Sequence, residues 1–193
     1  MADRREVLKG VLLTGAALLG VPGVIGLTAG GLAAGQDDAA KARPREGDLL
    51  VKVEDGALTP LGPSDITPGD APTMAWALDP ASKVVRNGSK FNQVVLVRID
   101  AGSMAADTQA LSAEGVVAYA ATCTHSGCEV GEWLAAERVL HCACHSSKFD
   151  PADGARVVDG PAPRSLPALP LKLVDRVLTV AGSFTTRVGY EAG

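Results

Sequence analysis

The hydrophobic positions form one long continuous run near the N-terminus and only short segments after it. From Gly10 to Gly35 the chain has no charged side chain, and Val, Leu, Ile, Ala and Gly dominate. As a helix, residues 11–34 would measure about 36 Å, which is enough to cross a hydrocarbon core of about 30 Å. The pattern therefore predicts a single transmembrane helix that contacts the lipid bilayer through residues 11–34.

The residues before this run carry a targeting pattern. The segment Asp3-Arg4-Arg5-Glu6-Val7-Leu8-Lys9 resembles a twin-arginine (Tat) export signal, which moves proteins already folded around a cofactor. Cleavage near residues 32–35 would leave a soluble periplasmic protein, whereas retention would leave an anchor with its basic end in the cytoplasm. The apolar run is longer than the roughly 7–15 residues usual for a signal peptide, which favours retention. Residues 1–35 are thus expected to be a signal and anchor in a bacterial inner membrane, single-pass, with everything after them on the periplasmic, extracytoplasmic side.

The remainder of the chain has the pattern of a β protein. Residues 36–47 are polar and charged without periodicity, which predicts a flexible tether. Short Val-rich segments follow, separated by Gly, Pro, Asn and Asp, and they predict strands. These strands are expected at residues 48–53, 74–78, 93–99, 116–121, 171–174 and 177–180. Asn87-Gly88 predicts a hairpin turn because both residues tolerate positive φ, and Asp175-Arg176 predicts the turn of the last hairpin. The expected fold class is mainly β, a small antiparallel β-sandwich over residues 48–193 on the single N-terminal helix.

Charge narrows the range of partners. The formal net charge is -4, and the chain has no long basic run. Nucleic-acid binding relies on clustered Lys and Arg that neutralise phosphates, so nucleic acid is not expected as a partner.

The residues with the most distinctive chemistry fall in two short boxes. The first is Cys123-Thr124-His125-Ser126-Gly127-Cys128, and the second is Cys142-Ala143-Cys144-His145-Ser146-Ser147. Thiolates and imidazoles are the side chains that bind iron or zinc well at neutral pH. The inventory alone leaves three interpretations open: an iron–sulfur site, a structural Cys₂His₂ zinc site, or an exported scaffold with two disulfides.

The full pattern C-T-H-x-G-C, a gap of 13 residues, then C-x-C-H-x-S, separates these interpretations. It resembles the cluster-binding boxes of the Rieske [2Fe–2S] iron–sulfur proteins at every ligand position. The resemblance implies a cluster-binding subdomain at about residues 120–165. The implied iron ligands are Cys123 and Cys142 through sulfur, and His125 and His145 through nitrogen. It also implies a disulfide between Cys128 and Cys144, and the two neutral imidazoles place the potential of such a cluster at about −150 to +300 mV.

Residues downstream extend the resemblance. Gly160-Pro161-Ala162-Pro163 is similar to the proline loop that covers the cluster in quinol-oxidising members of the family. Ser147 stands where the family has a serine that donates a hydrogen bond to a bridging sulfide, which raises the potential. Phe149 stands where high-potential members have a tyrosine that hydrogen-bonds a ligand cysteine. Since phenylalanine has no hydroxyl, a lower potential is expected, and this would suit menaquinol as the donor.

The resemblance implies electron transfer in a respiratory chain. The leading hypothesis is the iron–sulfur subunit of a membrane quinol:cytochrome c oxidoreductase of the bc1 or b6f type. In such a complex His145 and His125 would be the catalytic residues that accept an electron and a proton from quinol, and the electron would pass to a cytochrome c. Cytochrome b and cytochrome c subunits are then the expected protein partners. The oxidoreductase activity belongs to the complex, and the isolated chain is an electron carrier.

Two other functions are consistent with the same motifs. One is the small Rieske subunit of an exported molybdenum oxidase of the arsenite-oxidase type, where the cluster relays electrons from a partner's active site. The other is a stand-alone membrane electron carrier. Rieske ring-hydroxylating oxygenases and their ferredoxins fit less well, because they lack the second cysteine pair and an export signal.

Overall fold

The computed structural model describes residues 30–52 and 56–190. The α-helices in this part are α1 (Gly30–Lys41) and α2 (Ala106–Ala110). Short 3₁₀ helices occupy Pro63–Asp65, Lys90–Asn92 and Ala101–Ser103. The strands are β1 (Leu49–Lys52), β2 (Thr73–Leu78), β3 (Val94–Arg98), β4 (Val116–Ala120), β5 (Glu132–Leu134), β6 (Val139–Cys142), β7 (Ser147–Asp150), β8 (Arg156–Asp159), β9 (Leu171–Val174) and β10 (Val177–Val180).

Six of the strands form a base sheet in the order β4-β3-β2-β1-β10-β9, and every pairing in it is antiparallel. Strands β3 and β4 are rich in valine, a β-branched residue that suits a pleated surface buried on both sides. Val94 to Val97 of β3 and all five residues of β4 are buried. The predicted mainly β, antiparallel class is confirmed.

The remaining four strands form a second antiparallel sheet, β5-β6-β7-β8. The chain enters this small sheet after β4 and leaves it before β9, so the small sheet is an insertion into the base sheet. The two sheets share one hydrophobic core, because Val95 and Tyr119 of the base pack with Leu140 and Phe149 of the insertion. The Tyr119 hydroxyl also donates a hydrogen bond to the Pro151 carbonyl at 2.8 Å. The insertion is therefore packed against the base sheet and hydrogen-bonded to it.

Most of the predicted strands lie within a residue or two of the observed ones. The last hairpin also forms as predicted, with Asp175 and Arg176 both at positive φ, 49° and 65°. The hairpin turn predicted at Asn87-Gly88 is wrong. The Gly88 N–H instead donates to the Ala40 carbonyl at 3.0 Å, and a Cβ on Gly88 would lie 2.9 Å from the Ala40 carbonyl carbon. Gly88 therefore contacts α1 and does not form part of a hairpin turn.

The N-terminal region differs from the flexible tether predicted at residues 36–47. Helix α1 continues to Lys41, and the Asn92 side chain donates to the carbonyls of Lys41 and Ala42. Gly47 donates its N–H to the Val180 carbonyl, which joins the end of this segment to β10. The twin-arginine motif and most of the predicted span lie outside the described residues. Within the described ranges, no helix is both long enough and apolar enough to cross a membrane.

Candidate metal centre

The first box is a closed loop between β4 and β5. The Cys123 N–H donates to the Cys128 carbonyl at 2.8 Å, and the Gly127 N–H donates to the Cys123 carbonyl at 3.0 Å. Gly127 has a φ of +77°, a conformation that favours glycine. This tight turn directs Cys123 inward, where it is 1% exposed, while His125 is half-buried at the tip of the loop.

The second box is the turn of the β6–β7 hairpin. Cys142 ends β6 and pairs with Ser147 at the start of β7, so residues 143–146 form a four-residue turn. Ser146 takes the left-handed conformation with a φ of 57°. Cys142 is buried, whereas Cys144 and His145 are exposed on the turn. The hairpin thus brings a buried sulfur and an exposed imidazole to the same end of the small sheet.

A disulfide joins the two loops, as the sequence resemblance predicted. Cys128 and Cys144 are bonded, with their Cα atoms 6.5 Å apart. The Cys142 sulfur lies within 4.8 Å of both of these sulfurs. Because Cys128 and Cys144 are bonded to each other, they are not free to act as thiolate ligands.

The other two cysteines are free thiols, both buried. Burial raises the pKa of the Cys142 thiol, and the adjacent Cys123 side chain raises it further, while backbone N–H groups of Cys144 and His145 act in the opposite direction. Two neighbouring buried thiolates are unfavourable unless a cation neutralises them. Since a metal binds the deprotonated thiolate, a metal centre resolves this conflict.

The two histidines complete a set of two sulfur and two nitrogen donors. The rings of His125 and His145 lie edge to face with their centroids 4.6 Å apart. His125 Nδ1 is buried and has no hydrogen-bond partner, which ordinarily costs about 1–3 kcal/mol. An imidazole nitrogen that is buried but unpaired is ready to coordinate a metal. The residues present therefore fit a cluster with Cys123, Cys142, His125 and His145 as its ligands.

The proline loop Gly160-Pro161-Ala162-Pro163 lies against the second box. The Ala162 N–H donates to Ser147 Oγ at 3.2 Å, and Ser147 is fully buried. Gly160 has a φ of +85°, and a Cβ on it would lie only 2.5 Å from the Ser147 Cα. This approach requires glycine, and it holds the proline loop against the second box.

The structure brings further residues to the first box that the sequence analysis did not single out. Lys90 Nζ donates to the Gly127 carbonyl at 3.1 Å, and Thr124 Oγ1 donates to the Arg164 carbonyl at 2.6 Å. The Tyr190 ring packs on Gly127. Lys90, Arg164 and Tyr190 are separated from the box by many residues in sequence, so no local pattern signals their contact with it.

The fold and the donor set define a class of protein, a small antiparallel β protein in which two Cys–His loops meet and fit a metal centre. The model of the Rieske [2Fe-2S] domain family matches residues 76–170. The chain is 35% identical over 148 residues to the cytochrome bc1 complex Rieske iron-sulfur subunit of Streptomyces lividans, a match that covers 75% of this chain and 85% of that protein. The chain belongs to the Rieske iron–sulfur family, and it carries a [2Fe–2S] cluster in electron transfer.

Other relatives are longer than the region they share with this chain. The protein of the same name in Streptomyces coelicolor is 35% identical over 148 residues, which are 75% of this chain and 41% of that protein. A protein named as the Rieske subunit of a respiratory nitrate reductase in Haloferax mediterranei is 44% identical over 107 residues, 54% of this chain and 47% of its own length. The family assignment replaces the zinc and disulfide-only interpretations of the two boxes.

Proposed function

We propose that the chain is the iron–sulfur subunit of a membrane quinol:cytochrome c oxidoreductase of the bc type. The observation that carries the proposal is the exposed imidazole of His145 beside the half-buried His125, at the tip where the two loops meet. An exposed histidine there can be reached by a substrate from solvent or from a partner's pocket. The similarity to a bc1 complex subunit over 85% of that protein supports the same assignment.

The residues at the tip have distinct tasks in this proposal. The cluster, when bound, supplies a one-electron acceptor. His145 accepts a hydrogen bond from the quinol hydroxyl and then its proton, and His125 offers a second imidazole beside it. Cys123 and Cys142 are buried and would hold the cluster through their sulfur atoms. The Cys128–Cys144 disulfide keeps the two loops, and so the two imidazoles, together.

Two buried residues are proposed to set the potential. Ser147 Oγ accepts the Ala162 N–H, so the serine's own proton would be available to donate to the cluster and raise its potential. Phe149 offers no such donor, which lowers the potential relative to family members with tyrosine there. The missing hydroxyl at Phe149 favours menaquinol, a low-potential quinol, as the electron donor.

The membrane part of the proposal rests on the sequence. Residues 11–34 would anchor the chain in the bilayer. The twin-arginine segment would place the cluster-bearing head, which is the β domain from residue 48 onward, outside the cytoplasm. There the head would meet a cytochrome b that supplies quinol and a cytochrome c that takes the electron. Persistence of the Cys128–Cys144 disulfide is expected in that compartment.

A second candidate is a Rieske subunit of another respiratory oxidoreductase, such as the molybdenum oxidase considered from the sequence. It is favoured by the 44% identity to the Haloferax protein, whose name places it with a nitrate reductase. In that case the cluster relays electrons between protein partners, and His145 takes no proton from quinol.

Co-purification distinguishes the two candidates. A C-terminal affinity tag on the full chain, gentle solubilisation of membranes and a reduced-minus-oxidised visible spectrum report the haems that accompany it. The bc-type proposal expects b-type haem in stoichiometric amount, reduced on addition of menaquinol. Membranes with the untagged chain provide the control. Molybdenum without b-type haem in the tagged preparation would overturn the proposal in favour of the second candidate.

A further inference from the structure

The described residues after β10 pack against the head, and the last of them, Tyr190, lies beside the first box. We refer to residues 184–190 as the C-terminal arm. The Thr185 N–H donates to the Ala168 carbonyl at 2.9 Å, and the Ala168 N–H donates back to Thr185 Oγ1 at 3.0 Å. Val188 and Gly189 are buried. These contacts fix the path of the arm toward the cluster-binding subdomain.

The arm ends in a contact with the loop that carries Cys123 and His125. A Cβ on Gly127 would lie 2.8 Å from Tyr190 Cδ1 and 2.9 Å from Cε1, so the tyrosine ring lies directly on the glycine. Lys90 Nζ donates a hydrogen bond to the Gly127 carbonyl at 3.1 Å. Gly127 also donates its N–H to the Cys123 carbonyl and precedes Cys128 of the disulfide. The peptide that closes the loop is therefore held by a lysine and covered by an aromatic ring.

Arg164 connects the arm to the rest of the site. Its Nη2 donates to the Gly189 carbonyl at 2.5 Å, and its own carbonyl accepts the Thr124 hydroxyl at 2.6 Å. Gly189 in turn packs on Phe91, since a Cβ there would lie 2.8 Å from the Phe91 ring. Arg164 follows the proline loop directly, so the proline loop, the first box and the arm form one continuous network.

We propose that Tyr190 is a positioning residue for the cluster, and that its ring keeps the first loop closed around Cys123 and His125. Tyr190 is 40% exposed and belongs to neither hydrophobic core cluster of the described residues, and its ring contacts Gly127. The proposal requires the cluster but neither quinol nor a cytochrome. It therefore stands whichever of the two candidate functions is correct.

Amide hydrogen exchange of the full-length chain in detergent, followed by mass spectrometry, tests the proposal directly. The N–H groups of Cys123 and Gly127 are both hydrogen-bonded inside the loop, so their exchange reports how often the loop opens. In Tyr190→Ala we expect exchange in the peptide covering residues 121–130 to rise about three- to tenfold. In Tyr190→Phe, which keeps the ring, we expect no change. Unchanged exchange in Tyr190→Ala would overturn the proposal.

A matched control separates positioning from general destabilisation. Val174 is 45% exposed on β9, at the opposite edge of the base sheet from β4, so Val174→Ala removes a similarly exposed apolar side chain far from the loop. Equal acceleration in Val174→Ala and Tyr190→Ala would overturn the proposal. The electron paramagnetic resonance spectrum of the reduced cluster gives an independent measurement. Its g values are expected to shift in Tyr190→Ala and to match the unmodified chain in Tyr190→Phe and Val174→Ala.

Discussion

Phe149 lies fully buried in the small sheet, opposite Leu140 of β6 and Val157 of β8. Its ring fills the core beneath the second box and offers no hydrogen-bond donor to Cys142 or Cys123. Tyr119 of the same core cannot substitute for it, because its hydroxyl is already donated to Pro151. Burial raises the pKa of Tyr119, so this hydroxyl also stays protonated. Phe149 is thus the position where a new hydroxyl would have the greatest effect on the cluster.

Phe149→Tyr is expected to raise the reduction potential of the cluster. A new hydrogen bond to a ligand sulfur stabilises the reduced state, and a net worth of about 0.5–1.5 kcal/mol corresponds to about 20–60 mV for one electron. Phe149→Leu, which adds no hydroxyl, controls for repacking of the core. A redox titration monitored by electron paramagnetic resonance measures both variants. A potential that is unchanged or lower in Phe149→Tyr would show that Phe149 does not set it.

At the scale of single residues, the sequence predicts the site well where chemistry and spacing are local. The two boxes contain the free thiols, the disulfide cysteines and both imidazoles within six residues each. Spacing alone does not choose the disulfide, since four cysteines allow three pairings, and the family resemblance was needed to select Cys128–Cys144. Lys90 and Tyr190 were missed because they contact Gly127 only after the sheets have formed.

At the scale of elements, the proline loop is held on the second box by its first residue. Gly160 has a φ of +85° and lies against the backbone of Ser147. A Cβ added to Gly160 would lie 2.5 Å from the Ser147 Cα and 2.8 Å from the Ser147 N. Neither of these is the flexible end of a side chain, so neither can move without shifting the loop or β7. The close approach also places the Ala162 N–H on Ser147 Oγ.

Gly160→Ala is therefore expected to lower stability by about 2–5 kcal/mol, the sum of left-handed backbone strain and overpacking. It should also accelerate loss of the cluster, measured by bleaching of the visible absorption at a fixed temperature. Gly154→Ala is the matched control, since Gly154 has a φ of +62° but nothing within 4 Å of its added Cβ. If both variants lost the cluster at the same rate, contact with Ser147 would not be what holds the loop.

The elements that the sequence predicted poorly are those whose form depends on distant partners. Asn87-Gly88 has the composition of a hairpin turn, yet the contact of Gly88 with Ala40 determines its conformation. Strands β5 to β8 have three or four residues each, and β8 is mostly exposed, so they carry little hydrophobic periodicity. By contrast β3 and β4 are buried and rich in valine, and their pattern alone located them.

At the scale of the whole molecule, a buried cluster of charged and polar side chains joins α1 to the head. Arg86 is 2% exposed, and it donates to Asp48 Oδ2 at 2.5 Å and to the Ala39 carbonyl at 3.3 Å. Asn92 is fully buried and donates to Lys41, Ala42 and Arg86 carbonyls. The last carbonyls of a helix have no partners within the helix. Here the Arg86 side chain, the Gly88 N–H and the Asn92 side chain donate to the carbonyls of Ala39, Ala40 and Lys41.

This attachment explains why the tether was predicted differently from the structure. Residues 36–47 are polar, as a flexible linker is, but their backbone is bound by residues about 50 positions further along the chain. No sequence pattern reports such contacts. If the proposed electron transfer involves movement of the head between two partners, α1 moves together with the head. The pivot of that movement then lies before Ala39.

Release of α1 from the head can be measured by proteolysis at Lys41, which is exposed at the end of the helix. Asn92→Ala removes the donors to the Lys41 and Ala42 carbonyls, and the loss of buried hydrogen bonds worth about 1–3 kcal/mol should raise the population of the detached state. We expect trypsin to cleave after Lys41 about tenfold faster in this variant, as followed by mass spectrometry of the native full-length chain. Asn87→Ala makes the same substitution at an exposed position in the same stretch and should cleave at the original rate. Equal rates in Asn92→Ala and the unmodified chain would show that the Asn92 hydrogen bonds do not hold α1 on the head.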